Sequence, residues 1–355
     1  MLATSQIVVD QSSLPDFGDT IHYKTDRKPS ISLGQGGEDQ MWNFSQLTSP
    51  YSDEITFNSP EVISDQVDMI VKQNGKPLFL LDWFGSDLKI TGQYDSQQLS
   101  TGDSKLSRFS EPAYFRKEKL DYGDSFGQEY EQITIYKLND LSFETINSLT
   151  EIPDSIKVIR ETSVVYEVDA WGTVLMPISK ANVLRLKIDR REIVNYISIK
   201  AGVETAIGNQ NFLDQRIVPH ETRDISYHFY SAESKIPLIL VDTETNGDIK
   251  QVTYQINKLI YGVAKPFDER KGLSAYPNPS IGPVRFDFYG YPEGEYTIKV
   301  FNTILKTIWT DTFTIDHNGV IDVDLGFLQK GTYVYGVDNE IGERLITKKL
   351  MIINP

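Results

Sequence analysis

The side chains best suited to metal chemistry are histidines and carboxylates, and one short stretch groups them. His220-Glu221-Thr222-Arg223-Asp224 begins as a zinc-protease motif does, but Asp224 stands where that motif requires its second histidine. The flanking residues alternate between polar and apolar, which predicts a strand rather than the helix that would bring two such ligands together. The chain has only four histidines, and we predict no zinc site here.

A second stretch, 242–248, carries oxygen-bearing side chains at alternate positions and a glycine at its sixth, as calcium-binding loops do. Glu244 replaces the aspartate or asparagine usual at the third position, and Thr253 stands where the bidentate glutamate belongs. Asn246-Gly247 is also the strongest short signal for a hairpin, and a turn explains the same residues without a metal. We therefore predict a hairpin and no cofactor.

Paired carboxylates could serve a glycoside hydrolase, which needs two acidic groups roughly 5–9 Å apart. Three pairs have suitable residue types, namely Glu38 with Asp39, Asp121 with Asp124, and Glu129 with Glu131. Among 50 acidic residues such pairs arise by chance, and the chain has no Gly-x-Ser-x-Gly nucleophile motif. We predict no catalytic residue, while hydrolysis stays open as an alternative.

A glycine-rich stretch at 34–37 has the composition of a phosphate-binding loop but not its setting. No apolar strand precedes it and no helical pattern follows, so the context of a dinucleotide site is missing. We interpret it as a turn that leads Trp42 and Phe44 into a strand. The four tryptophans would suit carbohydrate binding if exposed, although packing in a sheet core explains aromatic residues more economically.

Bulk composition limits the partners. The 355 residues carry a formal net charge of −15 and include no cysteine. Excess acid repels phosphate backbones and anionic lipid, which disfavours nucleic-acid and electrostatic membrane binding. Without cysteine there is no disulfide or thiolate metal site. Because no stretch approaches the ~20 apolar residues of a membrane-spanning helix, we expect no nucleic acid among the partners and no transmembrane segment.

The elements that must position these residues have a period of two. The stretch 182–189 places Leu184, Leu186 and Ile188 on one face and Arg185 and Lys187 on the other, as antiparallel strands do when one face is buried. Asn-Gly pairs at 74–75 and 246–247 predict tight hairpins. Only 140–150 shows a helical pattern, and the polar stretch 96–112 is predicted to be a surface loop. The fold class is therefore all-β.

A charged, proline-rich stretch at 264–283 interrupts the alternation and divides the chain. We predict a signal-peptide remnant at 1–5, with an ordinary chain terminus as the alternative, a β-rich passenger domain at 6–265, a linker at 266–275 and a C-terminal domain at 276–355. For the passenger domain we expect an antiparallel β-sandwich or a partly closed barrel. Six or seven short, closely spaced strands predict a small β-sandwich for the C-terminal domain.

The C-terminal domain carries short motifs in a fixed order. Ala-Tyr-Pro-Asn-Pro-Ser at 275–280 is followed by Tyr-Thr-Ile-Lys-Val-Phe-Asn-Thr at 296–303 and by Leu-Gln-Lys-Gly-Thr-Tyr-Val-Tyr-Gly-Val at 328–337, with a basic, apolar strand at the end. In this order they resemble the type A C-terminal sorting domain of the type IX secretion system. That system exports proteins across the outer membrane in the phylum Bacteroidota. We expect this sandwich to be immunoglobulin-like.

The resemblance places the sorting signal on two groups of residues. They are Tyr276, Pro277, Asn278 and Pro279 in the first motif, and Gly331, Tyr333, Arg344, Lys348 and Lys349 near the end. The resemblance implies that type IX secretion machinery is the partner and that the protein is secreted or reaches the cell surface. It also implies that the domain is removed, with the passenger released or attached to surface lipopolysaccharide.

One turn departs from the family pattern. Such domains usually carry Leu-Gly after the second motif, where this chain has Ile304-Leu305. The turn must therefore close without the residue that best tolerates positive φ.

The passenger domain is similar, over 18–25, 34–45, 120–126, 168–187 and 227–254, to a family of exported Bacteroidota proteins with the same tail. That resemblance implies export and assigns no activity. The first hypothesis is a non-catalytic secreted or surface module that binds a carbohydrate or protein ligand, or mediates adhesion. The alternative is a secreted polysaccharide-active hydrolase, which two carboxylates converging in a cleft would favour.

Overall fold

The structure is a computed structural model that describes residues 7–60, 67–95, 104–141, 151–207, 218–256, 265–266, 272–289, 291–315 and 319–353. The chain divides into two compact units. Unit 1 comprises Met1–Tyr23, Ile31–Leu47 and Glu54–Ile256, and unit 2 comprises Lys24–Ser30, Thr48–Asp53 and Asn257–Pro355. Of the segment predicted to be helical, residues 142–150 lie outside the described residues.

Before residue 267 the described residues form strands and two single 3-10 turns, Gln11–Ser13 and Leu138–Asp140. The strands are β1 (Thr20–Asp26), β2 (Gly37–Asn43), β3 (Tyr51–Asn58), β4 (Met69–Gln73), β5 (Lys76–Phe84), β6 (Asp87–Asp95), β7 (Lys105–Arg116), β8 (Ser125–Lys137), β9 (Ser155–Leu175), β10 (Lys180–Lys200), β11 (Val203–Ala206), β12 (His220–Tyr230), β13 (Ile239–Thr243), β14 (Ile249–Ile256) and β15 (Lys265–Pro266).

The large sheet closes on itself between β9 and β10. Its strands follow the order β10, β12, β13, β14, β1, β3, β4, β5, β6, β7, β8 and β9, and β9 pairs again with β10. These last two strands are 21 residues long and run antiparallel to each other. The result is a closed barrel of 12 strands. Of the two architectures predicted for the passenger domain, the barrel is the one observed, and its closure is complete.

Alternation decides which side chains face the core. Along β9 the even positions from Ile156 to Val168 are buried, whereas Val165 and Glu167 between them are exposed. We call the face of the sheet that carries Val164 and Leu186 the core face, and the opposite one the reverse face. The apolar clusters of the core face hold Leu184, Leu186 and Ile188, as the period-two pattern predicted.

Arg185 departs from that prediction in its burial. It points to the reverse face as expected, yet it is only 2% exposed. The chain around Leu33 and Trp42 covers it there: the guanidinium donates to the Leu33 carbonyl at 3.1 Å and lies over the Trp42 ring. Sequence alternation identifies the face of a side chain, but not whether a distant segment covers that face.

Both predicted Asn-Gly hairpins are confirmed. Asn74 and Gly75 join β4 to β5 with φ of 49° and 80°, which is the left-handed pair that a type I′ turn needs. Gly247 has φ of 90°, and the Glu244 N–H donates to the Asp248 carbonyl at 2.7 Å across the turn between β13 and β14.

The predicted surface loop at 96–112 is wrong from Lys105 onward, because β7 begins there. Two of its serines bond across the sheet. The buried Ser107 hydroxyl contacts that of Thr134, and the Ser110 hydroxyl accepts the Glu131 N–H at 2.8 Å. A polar strand resembles a loop in sequence when its partners are also polar.

The remaining chain forms β16 (Gly272–Tyr276), β17 (Pro283–Tyr289), β18 (Gly294–Phe301), β19 (Thr307–Ile315), β20 (Val320–Asp324), β21 (Gly331–Asn339) and β22 (Arg344–Ile352). One sheet has the order β16, β17, β20 and the other the order β19, β18, β21, β22. Leu273 and Phe286 from the first sheet share one core with Ile298, Val337 and Leu350 from the second. The predicted two-sheet sandwich is therefore present.

Within the ranges described above, the chain forms no helix with the length and apolar character that crossing a bilayer requires.

The turn between β18 and β19 closes around an exposed leucine. Leu305 has φ of 59° and is 69% exposed. Asn302 supports the turn, since its side-chain oxygen accepts the N–H groups of Ile304 at 3.2 Å and Lys306 at 2.9 Å. The turn that the family pattern closes with glycine is thus closed here with a residue that occupies left-handed backbone at a cost.

We predict that Leu305→Gly raises the free energy of unfolding of unit 2 by about 0.5–1 kcal/mol. Left-handed backbone costs a non-glycine residue roughly 1–2 kcal/mol, and the greater entropy of glycine in the unfolded chain offsets part of this. Hydrogen exchange of the β18 and β19 amides in urea measures the change. Ile304→Gly is the control and should lower the same free energy; equal effects of both variants would contradict the prediction.

Candidate functional site

Asn278 of the predicted sorting signal is bonded to the last strand. Its side-chain amide donates to the Lys349 carbonyl at 2.8 Å and accepts the Met351 N–H at 2.9 Å. An asparagine side chain offers one donor and one acceptor in the arrangement of a peptide group. Asn278 therefore acts as one unit of an additional strand along the edge of β22.

Ser280 continues the same pairing two residues later. Its N–H donates to the Met351 carbonyl and its carbonyl accepts the Ile353 N–H, both at 2.8 Å. Its buried hydroxyl donates to the Pro283 carbonyl at 2.7 Å. The loop at 277–281 therefore occupies the edge of the last strand over 349–353.

Two of the three predicted cations of the signal have partners within unit 2, although all three lie at exposed positions of β22. The Arg344 guanidinium pairs with Asp338 and lies over the Phe301 ring. Hydrogen bonds from Arg344 and Lys299 hold the pKa of the Asp338 carboxyl below its ordinary value. Lys348 donates to the Leu273 carbonyl at 2.6 Å. The exposed Lys349 ammonium, by contrast, has no hydrogen bond or ion pair with any residue that the structure describes.

The other predicted signal residues lie around the same strands. Tyr276 ends β16 and is buried, and burial raises the pKa of its hydroxyl to about 12. Tyr333 donates to the Gln329 carbonyl at 2.9 Å, four residues upstream. Gly331 begins β21 opposite Ile352, and a Cβ there would meet only ordinary contacts at 3.8 Å or more. Pro277 and Pro279 flank Asn278 in the loop beside β22, both exposed.

Sequence reasoning missed the contacts that bind the motif to the last strand. Ser280 was not singled out, although asparagine and serine beside proline are the residues that bond to nearby backbone in turns. That signal indicates a turn, but it does not identify a partner some 70 positions away, because sequence separation says nothing about register.

The candidates for catalysis and metal binding are dispersed. Asp121 and Asp124 belong to one turn, where the Asp124 carboxylate accepts the Asp121 N–H at 2.9 Å. Glu38 and Asp39 lie in β2. Among the described residues no group of three or more histidine, cysteine or acidic side chains has the geometry to hold a metal ion. The stretch 34–37 leads into β2, whose Trp42 is 2% exposed and is followed by the fully buried Phe44, as the turn interpretation predicted.

Unit 1 carries a shallow charged groove on its reverse face. One part, of about 430 Å³, lies over β7, β8, β9 and β10 and is lined by Ser110, Glu129, Glu131 and Glu161, among others. The adjoining part, of about 400 Å³, is lined by Asp189, Arg191, Glu221 and Arg223 along with Ser163 and Val165. Ser163 and Arg191 line both parts, so they form one continuous groove.

The two arginines of the groove are neutralised by carboxylates on the neighbouring strand. Arg191 donates to both oxygens of Glu221, at 2.6 and 3.0 Å, and Arg223 to both oxygens of Asp189, at 2.9 and 2.6 Å. Hydrogen bonds from these arginines hold the pKa values of both carboxyls below their ordinary range. Exposed pairs of this kind add little stability, but they fix the shape of this end of the groove.

The three glutamates at the other end have no such partners. Glu131 lies directly opposite Glu161 in the register of β8 and β9, and Glu129 lies opposite Ser163. None of the three forms an ion pair with a residue in the described ranges. Like charges directly opposite each other in a sheet are destabilising, so this end of the groove is negatively charged at a cost to the fold.

His228 is a histidine of β12 on the core face. Its Nδ1 is buried and has no hydrogen-bond partner among the described residues, and it lies in β12 between Leu186 and Leu240. Burial, with the nearby Arg190 charge, lowers the pKa of its imidazole to about 3. The ring is therefore neutral from pH 7 down to about pH 4.

Residues 274–353 match the family of secretion system C-terminal sorting domains. The match contains every residue of the predicted signal, from Tyr276 to Lys349. This part of the chain is a type IX secretion sorting domain, and the protein that carries it is exported to the cell surface or secreted. Comparison with curated proteins gives no match for the chain.

We predict that Asn278→Ala lowers the free energy of unfolding of unit 2 by about 1–2 kcal/mol, because two hydrogen bonds worth roughly 0.5–1.5 kcal/mol each are lost. Hydrogen exchange of the amides at 351–353 should accelerate at the same time. Asn278→Asp tests the geometry: it keeps the acceptor for Met351 but sets a carboxylate oxygen against the Lys349 carbonyl. If Asn278→Asp is as stable as the parent, the described pairing is incorrect.

We predict that His228 makes the protein less stable as pH falls. Its folded pKa lies below the unfolded value of about 6.5, so only the unfolded chain takes up the proton between pH 6.5 and about 3. Stability is then lost by up to ~1.4 kcal/mol per pH unit below 6.5. The free energy of unfolding, measured in urea at pH 7.5, 6 and 5, should fall less steeply with decreasing pH in His228→Leu than in the parent. His220→Gln changes an exposed histidine of the same strand, and its free energy of unfolding should depend on pH as that of the parent does.

Proposed function

We propose that this exported protein is a non-catalytic binding or adhesive module, delivered by type IX secretion and active at the cell surface or in the medium. The sorting domain supports the delivery. Apolar clusters pack the core face of the passenger domain, and the segment with Trp42 covers the reverse face around Arg185, so the groove lies on the uncovered part of the reverse face and is available to a ligand. The observation that carries the proposal is the groove in which Glu129, Glu131 and Glu161 on one wall have no ion pair with a described residue.

The chemistry of the groove favours a ligand rich in hydrogen-bond donors. Unpaired carboxylates accept hydrogen bonds from sugar hydroxyls and attract ammonium or guanidinium groups. We therefore propose a carbohydrate or a basic protein surface as the ligand. A shallow site on a rigid sheet binds without a large conformational change, as a module for adhesion requires.

For the tail we propose the finer features that the resemblance implies. The sandwich is immunoglobulin-like, the boundaries fall at the linker 266–275, and residues 1–5 are what remains of a signal peptide. After export the tail is removed, with the passenger released or attached to lipopolysaccharide. The signal itself comprises the residues from Tyr276 to Pro279 together with Gly331, Tyr333, Arg344, Lys348 and Lys349.

A hydrolase acting on polysaccharide is the second candidate, and one observation favours it. Residues directly opposite in an antiparallel pair have Cβ atoms roughly 4.5–5.5 Å apart, so the carboxyls of Glu131 and Glu161 can reach the spacing of about 5–5.5 Å found in retaining glycosidases. Neither side chain lies in a deep cleft that would enclose a sugar ring, and we place binding first for this reason.

The two candidates are separated by measuring binding and bond cleavage on the same polysaccharides. We expect an array of bacterial and host glycans to retain the protein without release of reducing sugar. Glu131→Gln with Glu161→Gln should weaken retention at least tenfold, while Glu233→Gln, an exposed change in another loop, should not. Release of reducing sugar that both single variants abolish would establish the hydrolase instead.

We predict that deleting 344–355 stops export. The deletion removes β22 and exposes the side of β21 that it covers, whereas unit 1 keeps its own core. In a host with type IX secretion, the truncated protein should accumulate in the periplasm with the passenger folded. A fluorescent protein fused to 265–355 should reach the medium or surface. Normal export of the truncated protein would contradict the prediction.

A further inference from the structure

Unit 2 contains more of the chain than the sorting domain. It includes Lys24–Ser30 and Thr48–Asp53, which precede the matched segment by more than two hundred residues. The first of these pieces carries three consecutive charged residues, Asp26, Arg27 and Lys28. Each of them is paired with a residue of β17 or β20, and the signs are complementary throughout.

Asp26 is bound by one arginine of β17. It is 1% exposed, and its carboxylate accepts the N–H groups of Thr48 at 3.0 Å and Lys28 at 3.1 Å. The Arg285 guanidinium completes this shell at 2.9 Å, and its Nε donates to Asp322 of β20 at 2.7 Å. Arg285 therefore joins a carboxylate of the early segment to one of the sorting domain.

The next two residues have the opposite sign and meet the opposite charge. Arg27 pairs with Asp287, which is 2% exposed, and lies over the Tyr289 ring. It also donates to the Phe288 carbonyl at 3.3 Å. Lys28 approaches Asp322 at 3.5 Å and the Val320 carbonyl at 3.4 Å. Arg285 and Asp287 are two residues apart on β17, so both point from the same face.

A neutral contact lies beside this charged set. The Tyr51 hydroxyl, in the second early piece, donates to the Ser274 hydroxyl of β16 at 3.0 Å. A buried ion pair is weak evidence of stability by itself, but removing one partner leaves the other charge buried and unpaired, which is strongly unfavourable. Such a surface is specific for a segment with the same order of charges.

We propose that the face of β17 and β20 formed by Arg285, Asp287 and Asp322 is a docking site for the segment Lys24–Ser30 of the same chain. The sorting domain is then held by noncovalent contacts as well as by the chain that precedes it. A cut between 266 and 272 does not release it; release requires that these ion pairs also be broken. The proposal concerns the fate of the sorting domain after cleavage, and it does not depend on the ligand of the groove.

The test uses the full-length chain with a specific protease site inserted between residues 266 and 272. After complete cutting in 0.15 M salt, size-exclusion chromatography and native mass spectrometry show whether the fragments stay together. We expect them to co-elute. Arg285→Asp and Asp26→Arg should each weaken the association at least tenfold, and the double variant with both changes should restore it in large part.

Two further variants keep the outcome decisive if a buried substitution impairs folding. Lys28→Glu changes a half-exposed partner of Asp322 and should weaken retention by a smaller factor. Lys330→Asp, an exposed charge reversal elsewhere on the same domain, should leave retention unchanged. The proposal is overturned if the cut parent separates at once, or if every charge reversal, Lys330→Asp included, has the same effect.

Discussion

The pairing of β9 with β10 is the constraint on which the larger unit depends. Each partner is 21 residues long, and their register runs without a break except for one shift beside Arg185. Without this pairing the sheet would have two long open edges, and open edges invite association with other chains. Closure removes that liability without disulfides or helices, which is consistent with a chain that has no cysteine.

The register of β9 and β10 also determines which face of the sheet carries the charged side chains. Since strand side chains alternate between faces, a slip of one residue would exchange the core face for the reverse face. The register instead places Val164 and Leu186 in the core and Ser163 and Arg191 in the groove. The paired arginines at one end and the unpaired glutamates at the other are therefore consequences of a register that the apolar residues enforce.

The opposite end of the reverse face shows how a charge becomes buried. The Arg185 guanidinium forms a bidentate ion pair with Asp169, donating one hydrogen bond of 2.8 Å to each carboxylate oxygen, and it lies between the rings of Trp42 and Tyr227. The covering strand β2 packs so closely on β9 that a Cβ at Gly172 would overlap the backbone of Gln40. Glycine at that position is what lets the cover approach and exclude water from the pair.

Sequence alone predicted the all-β class, the two Asn-Gly hairpins, the sandwich and the sorting domain, because each depends on local alternation or an ordered motif. It did not predict β7 from Lys105 or the burial of Arg185, because both depend on distant strands. The groove was also missed: Glu129 and Glu131 were paired by proximity in sequence, whereas the opposed pair in the structure is Glu131 with Glu161. Cross-strand register depends on residues that are far apart in the chain, so it cannot be inferred from composition or from the spacing of residues along one sequence.

In the tail, most residues of the proposed signal bond to other parts of the same domain. Asn278 and Ser280 use their polar groups on the edge of β22, and the exposed Arg344 and Lys348 bond to Asp338 and to the Leu273 carbonyl of the same domain. The polar and charged groups of these four residues are therefore bonded within the domain itself. All three cations lie at exposed positions of β22, and they differ in their bonding: Lys349, unlike Arg344 and Lys348, forms no hydrogen bond or ion pair with a described residue. Because Asn278 bonds to the Lys349 carbonyl, the motif fixes the backbone of β22 at the position of that exposed side chain, while the ammonium itself stays unbonded to any described residue.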